Sequence, residues 1–323
     1  MIINFNFNLS KVEFIWQQNT SKYFAVNFLM ENAKQKNFKA IIEEVLPSNN
    51  DIVEILKKDK NFVVLPDEIM GFGSLEVPTS RWNSNKYFST RFDLIYNKNK
   101  NLQYYNSLFS SNKNTSQFLF ASTKKQIIDD IISAFNQFQI KIVGISFYSK
   151  VLYDYILKVH GELSKQNLIV LEKEKDFKIY AFSAQNVLGF KKVDLSQNDQ
   201  IFAKKFVKFA KNNLNKGNFY QNGTDEIISR TKVEREYPVE IMQKFQFAIN
   251  VFKEYYKNSN LQIDFDKTVL LNTKNDENFS KDIIMLEFDR AKILSSYKKS
   301  MLYIAKKWGI LWNKKVLKGE SHL

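Results

Sequence analysis

Along the first residues of the chain, apolar and polar side chains alternate with a period of two. Ile3, Phe5, Phe7 and Leu9 interleave with Asn4, Asn6 and Asn8, and a second apolar stretch covers residues 12–16. That period gives a strand one buried face and one polar face. Asn8-Leu9-Ser10 is short enough to turn a hairpin. Three strands are therefore predicted at the start, over residues 2–8, 12–17 and 23–30. A helical run, AIIEEVL, follows and stops at Pro47, and Asn49 or Asn50 is placed to cap a short helix over residues 51–58. FVVL at 62–65 reads as a buried strand, with Pro66-Asp67 as its turn. Residues 79–117 are rich in Ser, Asn, Lys and Tyr with weak periodicity, and read as a small inserted subdomain or a long excursion.

Order returns at FLFAS, residues 118–122. Thr123 and Gln126 have the spacing of a capping box, and Ile127, Ile128, Ile131, Ile132, Phe135 and Phe138 lay an apolar stripe at helical spacing. KIVGISF at 141–147 predicts a buried strand, with Ser149 capping a helix that runs to His160. The opening pattern then recurs over residues 167–195 as LIVLE, FKIYAF and VLGFKKVDL. Strands and helices in this succession predict an α/β chain with a mixed or parallel sheet. The recurrence is either a duplicated three-strand unit or two unrelated meanders. A basic helix is expected over 200–215. After Pro238 a helix aligns Ile241, Phe245, Ala248, Phe252 and Tyr255, then TVLLN at 268–272 forms a short strand, and residues 282–318 read as mostly helical.

At 323 residues the chain exceeds one small core, so two or more subdomains are expected. The absence of cysteine removes disulfides, thiolate metal sites and cysteine nucleophiles. The two histidines, His160 and His322, form no metal-binding set. A Ser-His-Asp hydrolase would have to use His160, which stands in a Lys-Val-His-Gly helix end where a cation suits the dipole. The net charge of +14 suggests an anionic partner, although the richness in Lys, Asn, Ile and Phe, with 9 Gly and 4 Pro, is also the bias of an AT-rich genome. Most of the lysine excess is ascribed to that bias. No signal peptide and no membrane-spanning apolar run is visible, and the expected location is cytoplasmic.

The order of elements resembles the actin-like superfamily, and within it the FtsA/PilM branch. The likeness is carried by FLFASTKKQIIDDIISAFNQFQIKIVGISFYSKVLYDYI, within residues 118–160, and by QFAINVFKEYY followed by TVLLN. It implies a two-lobed actin-like (ribonuclease H-like) α/β fold, with duplicated three-strand mixed sheets and a small inserted α+β subdomain. The implied parts are a first lobe in two pieces, 1–77 and 149–165, an inserted subdomain at 78–148, a second lobe at 166–299 and a tail at 300–323. In that family ATP lies between the lobes. Laid on the family's first phosphate loop, Asn4 falls at its Asp, Asn6 at its Gly and Lys11 at its Lys. Glu172 and Glu174 fall at the second phosphate loop, and Asn272 where the adenosine loop wants glycine. A phosphate-cradling turn needs glycine because a side chain blocks close backbone approach. Glu174 in place of glycine also sets a carboxylate where phosphate would sit. Three altered loops together disfavour ATP and magnesium as cofactors, and no catalytic residue or metal site is assigned. The other reading is of an ordinary hairpin that never bound phosphate.

In the tail, Met301, Ile304, Ala305, Trp308, Leu311, Trp312 and Val316 gather on one helical face, with Lys306, Lys307, Asn313, Lys314 and Lys318 mostly on the other. Tryptophan and lysine so arranged suit a lipid interface with anionic headgroups. Ile304, Lys307, Trp308, Leu311, Trp312 and Lys314 are the candidate membrane contacts. A helix docked on the second lobe explains the same pattern. The resemblance implies an FtsA-like scaffold linking an FtsZ-like polymer to the inner face of the cell membrane, with self-association open. The alternatives are a PilM-like scaffold holding a membrane protein's cytoplasmic peptide, an ATPase, and a basic nucleic-acid-binding protein. The last rests on FAKKFVKFAKNN at 202–213, for which a solvated lysine face is the commoner explanation.

Overall fold

Asn4 is as buried as Ile3 and Phe5 beside it, which places the opening strand in the middle of a sheet. The computed structural model describes residues 1–6, 11–17, 23–29, 37–78, 83–96, 101–163, 165–173, 177–184, 186–193, 241–272, 283–287 and 293–294. Two units divide the chain: Met1–Gly161 with Asp289–Leu323, and Glu162–Phe288. In chain order the first unit contains β1 (Ile2–Asn6), β2 (Lys11–Gln17), β3 (Tyr23–Leu29), α1 (Phe38–Val45), α2 (Asn50–Lys58), β4 (Asn61–Leu65), β5 (Gly71–Pro78), α3 (Ser84–Ile95), β6 (Leu102–Ser111), β7 (Thr115–Lys124), α4 (Lys125–Gln137), β8 (Ile142–Phe147) and α5 (Tyr148–Val159).

Its larger sheet has the order β3-β2-β1-β4-β8. The β1–β2 and β2–β3 pairs are antiparallel, whereas β4 lies parallel to β1 and β8 parallel to β4. All five residues of β1 are buried. The alternation therefore does not mark a solvated face, as its period suggests, but a polar row inside the protein. On the apolar face Phe5 meets Phe38 of α1 edge to face at 4.9 Å, and α1 packs against α4. Ile128, Ile131 and Phe135 are the buried part of the stripe on α4. The expected capping box at its start does not form. Thr123 belongs to β7 and donates its hydroxyl to the Ile69 carbonyl at 3.1 Å, and the cap position falls on Lys124.

A second, three-stranded antiparallel sheet has the order β5-β7-β6, with α3 on one face. The insertion expected at 78–148 thus differs at both ends, since β5 pairs within the small sheet and β8 within the large one. Weak periodicity over 79–117 reflects how this piece builds its core: Phe88 and Phe92 from α3 meet Tyr104, Phe118 and Phe120 from the sheet.

The second unit repeats the plan of the first. Its elements are β9 (Leu168–Lys173), β10 (Phe177–Phe182), β11 (Val187–Val193), α6 (Ile241–Lys257), β12 (Lys267–Asn272) and β13 (Ile283–Glu287). The sheet order is β11-β10-β9-β12-β13, antiparallel between the first three strands and parallel across β9, β12 and β13. Two unrelated meanders would not each add two parallel strands to the same side of their first strand. The pattern is a duplication. Ala248, Ile249, Val251, Phe252 and Tyr256 are buried side chains of α6. A Cβ on Gly189 of β11 would collide with the Tyr256 hydroxyl. Tyr256 is itself held among Phe252, Tyr255 and Phe265. Gly189→Ala is expected to destabilise the protein by about 1–3 kcal/mol in urea unfolding, as overpacking of a filled core does. Among the described residues, no helix is long and apolar enough to cross a membrane.

Candidate functional site

In an open α/β sheet the natural place for a ligand is outside the carboxyl ends of the strands, where the strand order reverses. In the first unit that place lies at the ends of β1 and β4. Asn4 and Asn6 project from one face of β1, with Glu13 and Lys11 directly opposite them on β2. The same row continues through Val64 of β4 to Ser146 of β8. Asn4, Asn6, Glu13 and Ser146 are all buried. Asn4 donates its amide N–H to the Glu13 carboxylate at 2.5 Å, so a buried carboxylate and a buried amide satisfy each other across the hairpin. Asn6 closes β1 opposite Lys11 in ordinary extended conformation, because the positive-φ positions among the described non-glycine residues are Asn101, Gln139 and Gln262. Its buried side chain stands where the resemblance implies a glycine.

Beyond the ends of β4 and β8 stands Asp67, also buried. Its two carboxylate oxygens accept the backbone N–H of Ser149 at 3.1 and 3.0 Å, and one accepts the Ser149 hydroxyl at 2.7 Å. Asp67 thereby supplies the cap of α5 from a distant part of the chain. Ser149, expected as the cap, is the second residue of that helix and the donor. The next residue, Lys150, pairs with Asp154 one turn along α5 at 2.5 Å and lies 5.3 Å from the centre of the Tyr153 ring. Burial pushes the pKa of the Tyr153 hydroxyl well above the ordinary tyrosine value, with Asp154 and Tyr105 adding to the shift, so the group holds its proton further into the alkaline range.

The second unit has a comparable arrangement at its first hairpin. Glu172, on β9, is fully buried. It accepts the Tyr180 hydroxyl of β10 at 2.5 Å and stands directly opposite Lys178, which is buried too. Each large sheet therefore carries a buried carboxylate at its first hairpin, held by a donor on the neighbouring strand. Tyr180→Phe would leave Glu172 without that donor in a site from which water is excluded. A loss of about 2 kcal/mol in unfolding free energy is expected, read by urea titration.

No protein-family model matches the chain, and no curated protein matches it. Among solved structures it is similar to a PilM–PilN type IV pilus biogenesis complex, at 11% identity and a TM-score of 0.44 over 83% of this chain and 80% of that one. It is similar also to the cytoplasmic domain of EpsL, an inner membrane component of the type II secretion system of Vibrio cholerae, at 8% identity and a TM-score of 0.45 over 91% of this chain and 92% of that one. A Ppx/GppA phosphatase of Aquifex aeolicus follows at 9% identity and a TM-score of 0.30 over 84% of this chain and 66% of that one. The fold class rests on the two matching strand orders: it is a mixed α/β fold in which one five-stranded plan occurs twice.

Asn4, Asn6 and Lys11 come together at the first hairpin of the first unit, and Glu172 stands at the first hairpin of the second. Asn272 ends β12, one pair beyond the Leu271–Glu172 pair. Glu174 lies outside the described residues, as do Ile304, Lys307, Trp308, Leu311, Trp312 and Lys314 of the tail and the basic segment 202–213. Glu13, Tyr180 and Asp67 were not singled out by sequence reasoning. The period-two alternation places Glu13 opposite Asn4 once the hairpin is paired, whereas the link from Asp67 to Ser149 spans 82 positions and leaves no local signal. Among the described residues, no three His, Cys, Asp or Glu side chains converge to hold a metal ion.

Proposed function

We propose that this chain is a scaffold of actin-like fold that holds a protein partner at a membrane-bound assembly and does not turn over ATP efficiently. The observation that carries the reading is the pair of internal locks at the first hairpins. Where the resemblance sets Asp and Gly for phosphate, Asn4 is bonded to Glu13, and Glu172 to Tyr180. Freeing Glu172 for a magnesium ion would break a buried hydrogen bond, and its charge already has Lys178 opposite. The altered hairpins support a fold kept for its surfaces.

Two partners fit this scaffold. One is a segment of a pilus or secretion component, and the other is an FtsZ-like polymer tethered to anionic lipid through residues 300–323, favoured by the tryptophan–lysine pattern there. Nucleotide is tested first, by thermal unfolding with and without Mg-ATP and by phosphate release. A ligand at about 100 times its Kd stabilises by about 2.7 kcal/mol, enough to raise Tm by several degrees. The expected result is no rise in Tm and no phosphate release above buffer, and a clear rise with turnover would overturn the reading. Liposome co-sedimentation then separates the partners. The tether version requires that the full chain pellet with anionic vesicles and that a chain ending at Ser300 stay in solution.

A further inference from the structure

The helix α3 carries an apolar ridge on its outer side. Its inner side is spent on the core of the small sheet, through Phe88 and Phe92. Turning about 100° per residue brings Tyr87, Arg91, Leu94 and Ile95 together on a different side, over about two turns. Leu94 is 70% exposed, Ile95 52% and Tyr87 44%, and Arg91 is exposed between them. Ile55, Leu108 and Val159, the other exposed large apolar side chains among the described residues, stand on three separate elements. Single exposed apolar residues are ordinary, whereas three on one helix face form a patch of the kind that marks a contact surface. The patch is cationic. Arg91 stands midway along it and is held in place, because its guanidinium donates to the Glu76 carbonyl at 2.7 Å. Exposed Lys86 lies on the neighbouring flank. The one acid of the helix, Asp93, is half-buried and about 160° round the axis from Arg91. The Glu76 side chain alternates to the face of β5 opposite Leu75 and Val77, which pack in the core beneath α3.

We propose that this ridge docks an amphipathic helix of a partner protein whose apolar stripe is edged with carboxylates. In that mode anchors one and two turns apart interlock with the apolar stripe of the other helix. Tyrosine and arginine are the residues that most often anchor such contacts, and an arginine already fixed loses little freedom on meeting a carboxylate. Charge decides the occupant. In a second copy of the chain, α3 laid on α3 sets Arg91 beside Arg91 whichever way the two helices run, because that residue lies midway between Tyr87 and Leu94. Residues 300–318 of the chain itself offer an apolar stripe, but with five lysines and no acid. Like charges repel in both cases, whereas a stripe edged with glutamate or aspartate meets Arg91 and Lys86 with opposite charge. The inference rests on the scaffold reading, which calls for a protein partner, and it names the surface that grips it.

The probe is a fluorescent synthetic helix of about five turns, with a leucine stripe edged by glutamates and alanine elsewhere, titrated into the full chain by anisotropy. Two comparison peptides carry lysine in place of glutamate, or a central proline that breaks the helix. The expected result is saturable binding of the glutamate peptide and binding at least about tenfold weaker for both comparisons. Amides of α3 should gain protection from hydrogen exchange when the glutamate peptide binds. Tyr87→Ala and Leu94→Ala, at exposed positions, should leave Tm unchanged and each weaken that peptide about tenfold. Arg91→Glu should lose the glutamate peptide and take the lysine peptide instead, a reversal that mere damage to the helix does not produce. Failure to bind, equal binding of the proline peptide, or protection elsewhere would overturn the proposal. So would a lower molecular mass for Leu94→Ala than for the unaltered chain, which identifies a second copy as the occupant. Faster exchange of α3 in a chain ending at Ser300 would overturn it too, by identifying the chain's own tail. Mg-ATP titration judges the scaffold reading separately: turnover sinks that reading whatever the peptide does, and an unbound peptide without turnover sinks the docking surface alone.

Discussion

Asp67→Ala is expected to lower the unfolding free energy by about 3 kcal/mol. The first turn of a helix leaves backbone N–H groups without partners, and α5 has no side chain of its own at the cap position, where Phe147 stands. Asp67 fills that need from the far side of the β4–β8 connection, accepting both the N–H and the hydroxyl of Ser149. Loss of a cap costs about 1 kcal/mol, and each donor left buried and unpaired costs about 1–3 kcal/mol. Ser149 is fully buried, so water cannot replace the carboxylate without the helix start opening. Asp67→Asn keeps one acceptor and should lose about half as much. Ser149→Ala combined with Asp67→Ala should cost clearly less than the sum of the two single changes, because both act on one contact. Urea unfolding of the four proteins measures the cycle, and strict additivity would show that Asp67 acts elsewhere.

Phe88→Ala should have the largest effect of all, about 3–5 kcal/mol, concentrated in the small sheet. Its ring is fully buried and lies 5.8 Å from Phe92, 5.5 Å from Tyr104, 5.2 Å from Phe118 and 6.2 Å from Phe120. The aliphatic side chains of the same cluster, Leu75 and Val77, are smaller than the ring they would have to replace. Hydrogen exchange should quicken in β5, β6 and β7 and stay unchanged in β9, β10 and β12, and uniform loosening would argue against a separate core. The same core responds to base. Burial pushes the Tyr104 hydroxyl from 10.0 up to about 12, partly offset by its hydrogen bond to Ser89. A raised folded value means that this contribution is intact below pH 10 and is lost as pH rises toward 12.

Elements with a regular period were legible in the sequence, and those built on cross-chain contacts were not. The alternation over residues 3–9 already shows the first strand, and LIVLE with FKIYAF shows the repeat as short apolar runs of strand length. The burial of Asn4 was hidden, since period alone cannot say whether a polar face meets water or a carboxylate on the next strand. The helix α3 carries Tyr87, Leu94 and Ile95 exposed together with its buried Phe88 and Phe92, which blurs its stripe. At the candidate site, Asn4, Asn6 and Glu172 were found through the resemblance. Their partners Glu13 and Tyr180 became visible only with the strand register.

The pairing of Gly71 with Ser122 has a further consequence for how the chain reaches its native state. β4 and β8 must meet although the whole small sheet lies between them in sequence. Once β5 and β7 have paired through contacts nearer in sequence, the two ends of the insertion are already adjacent. The segment left to close then shrinks to two short connections, roughly a threefold shortening, worth about 1 kcal/mol of loop-closure entropy. The small sheet thus acts as a folding clasp, and its assembly before the β4–β8 joint would set the pace at which the first large sheet is completed.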